Sequence, residues 1–94
     1  MAGNDYRLTY HAALRMAERK VLEEEVTGTI ARGEVIERYP NDQPFPKCLF
    51  MYQIRPGQPL DVSCAYNEER QQAHIVTIHW FDPNKWLDWR RRRR

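Results

Sequence analysis

Residues 32–40, RGEVIERYP, decide the fold, because the hydrophobic period changes inside them. Before Gly33 the apolar residues Leu22, Val26 and Ile30 recur four apart, the spacing of one face of a helix. After it, EVIERY (34–39) reads with a period near two, as a strand does. A helix over 22–32 thus ends at Gly33 in a C-cap role and hands over to a strand. The three glutamates at 23–25 suit the positive end of that helix.

Working forward, PNDQPFP (40–46) is a loop, since proline removes a backbone donor and blocks regular structure. CLFMYQI (48–54), LDVSCAY (60–66) and AHIVTIHWF (73–81) read as three more strands. RPGQP and NEERQQ supply the turns of an antiparallel four-stranded meander. Working backward, YHAALRMAER (10–19) is an amphipathic segment. Thr9 is its expected N-cap, and the helix is expected over 11–19. Ala13, Leu14, Met16, Ala17 and Val21 are expected inward, with His11, Arg15, Glu18 and Arg19 outward. YRLTY (6–10) alternates and reads as a short first strand. The expected class is α+β: a short N-terminal strand, two helices, then the meander, with both helices on one face of the sheet.

Composition narrows the function. The chain has 94 residues, suited to one domain over 1–87, with 41% hydrophobic and 30% charged residues. No apolar run approaches the roughly 20 residues of a membrane span, and MAGNDYR has no signal-peptide character. A cytoplasmic protein without membrane contact is expected. Cys48 and Cys64 are too few for a disulfide framework and lack zinc spacing, so both are expected reduced. The net charge of +2 hides an asymmetry, since five of the fifteen Lys and Arg residues are Arg90–Arg94. The remaining ten face thirteen Asp and Glu, a balance of −3. The body is mildly acidic, and residues 88–94 are expected to form a cationic, disordered tail whose Arg90 and Arg91 are candidates for contact with RNA.

Two groups of residues carry chemistry. His11, Arg15 and Arg19 stand four apart on one side of the first helix. Arginine holds phosphate oxygens with a planar fork, and histidine passes protons near neutral pH. His11 also stands near a helix start, where free N–H groups attract anions. The second group comes from strand parity. Leu60, Val62, Cys64 and Tyr66, with His74, Val76, Ile78 and Trp80, should lie under the helices. Asp61, Ser63, Thr77 and His79 should line an open, polar face. His74 and His79 have opposite parity and should not share a metal. No cofactor or metal is implied.

HAALRMAER (11–19) resembles the HA-x-x-R-M-x-x-R opening of the bacterial family known as domain of unknown function 4258. GEVIERYP (33–40), PLDVSCAYN (59–67) and VTIHWFDPNKW (76–86) extend the resemblance over roughly 7–87. That family looks like part of the RelE and barnase-like group of small ribonuclease toxins. The resemblance implies a toxin-type endoribonuclease acting on RNA, with ribosome-bound mRNA as one form of that substrate, and partnered by a small antitoxin. Cleavage would be metal-independent, by attack of the 2′-hydroxyl. His11 would transfer a proton, Arg15 and Arg19 would stabilise phosphate charge, and His79 would serve the other proton transfer. Ser63 and Thr77 would bind the RNA. Asp61 departs from the family, many of whose members have histidine there, and this favours the alternative of a non-catalytic RNA- or protein-binding module. A homo-oligomer built through an exposed EVIERY edge is also compatible with the pattern.

Overall fold

The computed structural model describes residues 5–81. The elements run β1 (Asp5–Leu8), α1 (Tyr10–Arg19), α2 (Glu23–Arg32), β2 (Glu34–Tyr39), β3 (Lys47–Arg55), β4 (Gln58–Asn67) and β5 (Gln72–Trp80). This is the expected α+β order, and the sheet has five strands in the spatial order β1-β5-β4-β3-β2. β2 to β5 form an antiparallel meander. β1 pairs with β5 in parallel, so the sheet is mixed. The first strand ends at Leu8, earlier than expected, because Tyr10 already belongs to α1. The expected boundary at 87, the tail 88–94 and the FDPNKW block from Asp82 onward lie outside the described residues.

Both helices share one core with one face of the sheet. Ala12 of α1 and Val26 and Ile30 of α2 cluster with Phe50, Leu60, Val62, Cys64, Ile75 and Ile78. Thr9 sets where α1 begins. Its hydroxyl accepts from the Ala12 N–H at 3.1 Å and approaches the Ile75 and Val76 carbonyls at 2.9 and 3.1 Å. One side chain thus caps the helix and ties it to β5. At the other end Lys20 turns left-handed, at φ 56°, and its N–H meets the Ala17 carbonyl.

That anchoring fixes the rotation of α1, and it differs from the expected one. Ala12 is buried and Met16 half-buried, whereas Ala13, Leu14 and Ala17 are exposed. The helix carries so many small apolar residues that two seams fit its pattern, and the tether to β5 selects the one through Ala12. Leu22 is likewise exposed instead of inward, since it is the N-cap of α2 and precedes its first turn. Gly33 ends α2 as expected, but with an extended backbone (φ −78°, ψ 173°) and not the left-handed one that favours glycine. It is glycine for lack of room: a Cβ there would stand 2.4 Å from the Thr29 carbonyl oxygen and 2.6 Å from that of Met51.

Glu25 and Arg55 lock α2 to the sheet. Two Arg55 nitrogens donate to the Glu25 carboxylate at 3.0 and 2.8 Å, and one also donates to the Lys20 carbonyl at 3.2 Å. The guanidinium lies 5.7 Å from the centre of the Trp80 ring. The Leu22 N–H donates to the same carboxylate at 2.9 Å. The Arg55 hydrogen bonds, followed by that of Leu22, hold the Glu25 carboxyl below its ordinary range. A lowered native pKa stabilises the fold above the ordinary carboxylate pKa of about 4.3, and that stabilisation fades as pH falls through the native value. Chemical denaturation at pH 7 and at pH 3 should therefore give Arg55→Gln a smaller acid loss than wild type. The difference is expected to be small, because the pair is partly solvated. An unchanged acid loss would remove the pair from the account of acid stability.

Candidate functional site

The sheet divides the expected site residues into two groups. His11, Arg15 and Arg19 lie on α1, on the helical side. His11 is exposed, and the Arg15 and Arg19 side chains are 35% and 26% exposed. Both guanidinium groups lean on one carboxylate. Arg15 donates to Glu18 at 2.8 and 3.2 Å, and Arg19 lies 3.8 Å from it. An ion pair this exposed contributes little stability, so a phosphate can compete for the arginines. The flank is a line of one imidazole and two guanidinium groups over two helical turns, beginning in the first turn of α1.

Ser63, Thr77 and His79 lie on the opposite face. Across β4 and β5 the register sets Asp61 opposite His79 and Ser63 opposite Thr77, two adjacent rungs of that face. The four residues grouped by parity do come together, but His79 does not join His11. The face is also less open than expected. Asp61 is buried, and so are Leu49, Met51 and Ala65 on the same face. β3 explains this, because its continuous apolar run puts Met51 beside Asp61 and Leu49 beside Ser63. His79 is exposed, Ser63 and Thr77 are half-buried, and the Thr77 Oγ1 is buried without a hydrogen-bond partner among the described residues.

A bulge in β5 overturns the expected parity of its first half. Ser63 pairs with Thr77 while Cys64 pairs with Ile75, so Val76 is the extra residue. Ile75 therefore enters the core and His74 moves to the second face, where it stacks on Phe45 with ring centres 6.1 Å apart. His74 and His79 share a face after all. What separates them is two same-face steps along β5, roughly 13 Å. Among the described residues no three His, Cys, Asp or Glu side chains group as metal ligands. Cys48 and Cys64 are directly paired across β3 and β4, and both are free thiols. Cys64 is fully buried, which pushes its thiol up to about 12, and Cys48 is half-buried. Arg90 and Arg91 lie outside the described residues.

The α1 flank and the Asp61 row fall inside one match to a family model. That model, Domain of unknown function (DUF4258), covers residues 8–80. The chain belongs to the DUF4258 family. The match begins just before the Thr9 cap and ends at Trp80, so the DUF4258 unit spans the end of β1, both helices and the whole meander. No curated protein and no solved structure matches this DUF4258 chain. No helix among the described residues is long and apolar enough to cross a membrane.

Proposed function

We propose that this DUF4258 chain is a small RNA-directed endoribonuclease of the RelE and barnase-like toxin kind, acting in the bacterial cytoplasm beside an antitoxin. The observation that supports it is the α1 flank, where exposed His11 stands one turn from Arg15 and two from Arg19. Phosphate oxygens take the place of the Glu18 carboxylate on the arginines. His11 accepts the 2′-hydroxyl proton, and the oxygen so freed attacks the adjacent phosphorus. The bond to the 5′-oxygen breaks, leaving a cyclic phosphate and a 5′-hydroxyl protonated from water. Arg15 and Arg19 carry the charge that builds on the phosphate. His79 has no part at this centre, because the sheet stands between it and α1.

That same separation favours a second reading, a binding module without catalysis, since His11 lacks an imidazole partner for the other proton transfer. Single-stranded RNA incubated with purified protein in EDTA distinguishes the two. The ribonuclease predicts cyclic-phosphate ends. It also predicts a rate roughly 10²-fold lower or worse in His11→Ala, with RNA affinity nearly unchanged. RNA binding by wild type with no cleavage would leave the binding module. Neither binding nor cleavage would remove both.

A further inference from the structure

We propose that Cys48 and Cys64 are a reversible redox pair, which a small anionic disulfide of the glutathione type converts to an internal disulfide between two interior strands. The two residues stand directly opposite each other on β3 and β4. Both belong to the helical side of the sheet, Cys64 within the core and Cys48 packed against it. Both are free thiols. The Tyr66 N–H donates to the Pro46 carbonyl at 3.1 Å, two residues further along each strand, so the cysteines occupy a hydrogen-bonded rung. Such a rung holds its Cα atoms about 5.5 Å apart. A disulfide takes Cα atoms roughly 4.4–6.8 Å apart, so the backbone already has the right spacing. The Cβ atoms do not. On a rung they stand up to about 5.5 Å apart, against about 3.8 Å in a relaxed disulfide. Closing the bond draws β3 and β4 together and stores strain, and a strained disulfide is readily reduced. On its other side Cys64 adjoins the Val76 bulge, where the ladder to β5 is interrupted and β4 has room to shift. The rung thus suits a bond that forms and breaks, not a permanent staple.

Access orders the steps. Cys64 is fully buried, and burial, followed by the neighbouring Cys48, pushes its thiol up to about 12. An oxidant in solvent therefore meets Cys48 first, which is half-buried. Across the next rung Cys48 faces exposed Arg38 of β2, a cation suited to the carboxylates of a glutathione-type oxidant. The Cys48 thiolate attacks one sulfur of the small disulfide, whose S–S bond breaks and releases one small thiolate. The Cys64 thiol then gives its proton to solvent and its sulfur attacks that of Cys48, releasing the second small thiolate. Two protein S–H bonds are lost and one S–S bond is gained. The two electrons end on the small disulfide, reduced to two thiols that take up the two protons. An excess of the small thiol reverses both steps.

The proposal does not depend on RNA cleavage, because its readout is thiol count and mass. The reduced full chain, freed of reductant without air, is equilibrated at neutral pH with graded ratios of reduced to oxidised glutathione. Samples are quenched with acid, alkylated with N-ethylmaleimide in urea and weighed intact. As the oxidised fraction rises, wild type should lose both alkylatable thiols together and become a monomer lighter by two hydrogens. Dithiothreitol should restore both thiols. Cys64→Ala should stop at one glutathione on Cys48, and native Cys48→Ala should keep its buried thiol unmodified. Circular dichroism checks the fold of each variant, and should one fail to fold, the other variant and the wild-type mass still decide. A wild type that keeps both thiols at every ratio overturns the proposal. So does a glutathione adduct as the end product, or a disulfide-linked dimer in place of the lighter monomer.

Discussion

Gly33→Ala is expected to cost about 3 kcal/mol of folding stability, at the upper end of ordinary overpacking. The added methyl would sit 2.4 Å from the Thr29 carbonyl oxygen and 2.6 Å from the Met51 carbonyl oxygen. Both obstacles are backbone. One belongs to the last turn of α2, whose carbonyl accepts from the Gly33 N–H at 2.8 Å, and the other to β3. Relief therefore requires α2 to move away from the sheet and open the core around Ile30 and Phe50. Gly28 provides the control. A Cβ there meets nothing within 4 Å, so Gly28→Ala should stabilise the helix interior by roughly 0.5–1 kcal/mol. Urea unfolding of the two variants should move the midpoint in opposite directions. A Gly33→Ala protein within about 0.5 kcal/mol of wild type would mean that the α2–β3 contact is looser than described.

Leu60→Ala should be comparably severe, at about 3 kcal/mol and some 15 °C in Tm. Leu60 is fully buried on the central strand β4, with Tyr52 opposite on β3 and Trp80 opposite on β5. Its loss leaves a cavity between helices and sheet that rigid neighbours on three sides cannot fill. Leu14→Ala removes the same atoms from a residue that is 42% exposed, and should cost under about 0.5 kcal/mol. The comparison tests the rotation of α1 directly. If Leu14→Ala proved as costly as Leu60→Ala, Leu14 would belong to the core. Against a typical total of 5–15 kcal/mol, each large effect is a substantial share of the fold's stability.

Element identity was legible in the sequence because it depends on local chemistry. Thr9, Gly33, the prolines of 40–46 and the turn residues near 57 and 68–71 lie at the observed boundaries within a few residues. Periodicity separated two helices from the strands that follow. Three features were not legible, and each involves residues distant in sequence. The parallel placement of β1 beside β5 joins Asp5–Leu8 to residues 72–75, a pairing no local pattern encodes. The bulge at Val76 shifts register by one residue, and with a period of two one residue exchanges the faces of Ile75 and His74. The burial of Asp61 depends on Leu49 and Met51 from a different strand.

The site shows the same division. The sequence alone determined that His11, Arg15 and Arg19 share one flank, since 3.6 residues per turn places them there whatever else α1 touches. It also determined that Asp61 and Ser63 share one face of β4, and Thr77 and His79 one face of β5, because each pair lies two residues apart; that the two pairs face the same way rests on the β4–β5 register. Which face of α1 is buried, and whether His11 can reach His79, were decided only by the tertiary structure. A short helix rich in alanine has no single apolar seam, so the Thr9 bonds to the Ile75 and Val76 carbonyls set its rotation. A sheet one layer thick then separates two groups of side chains that the linear sequence leaves free to meet.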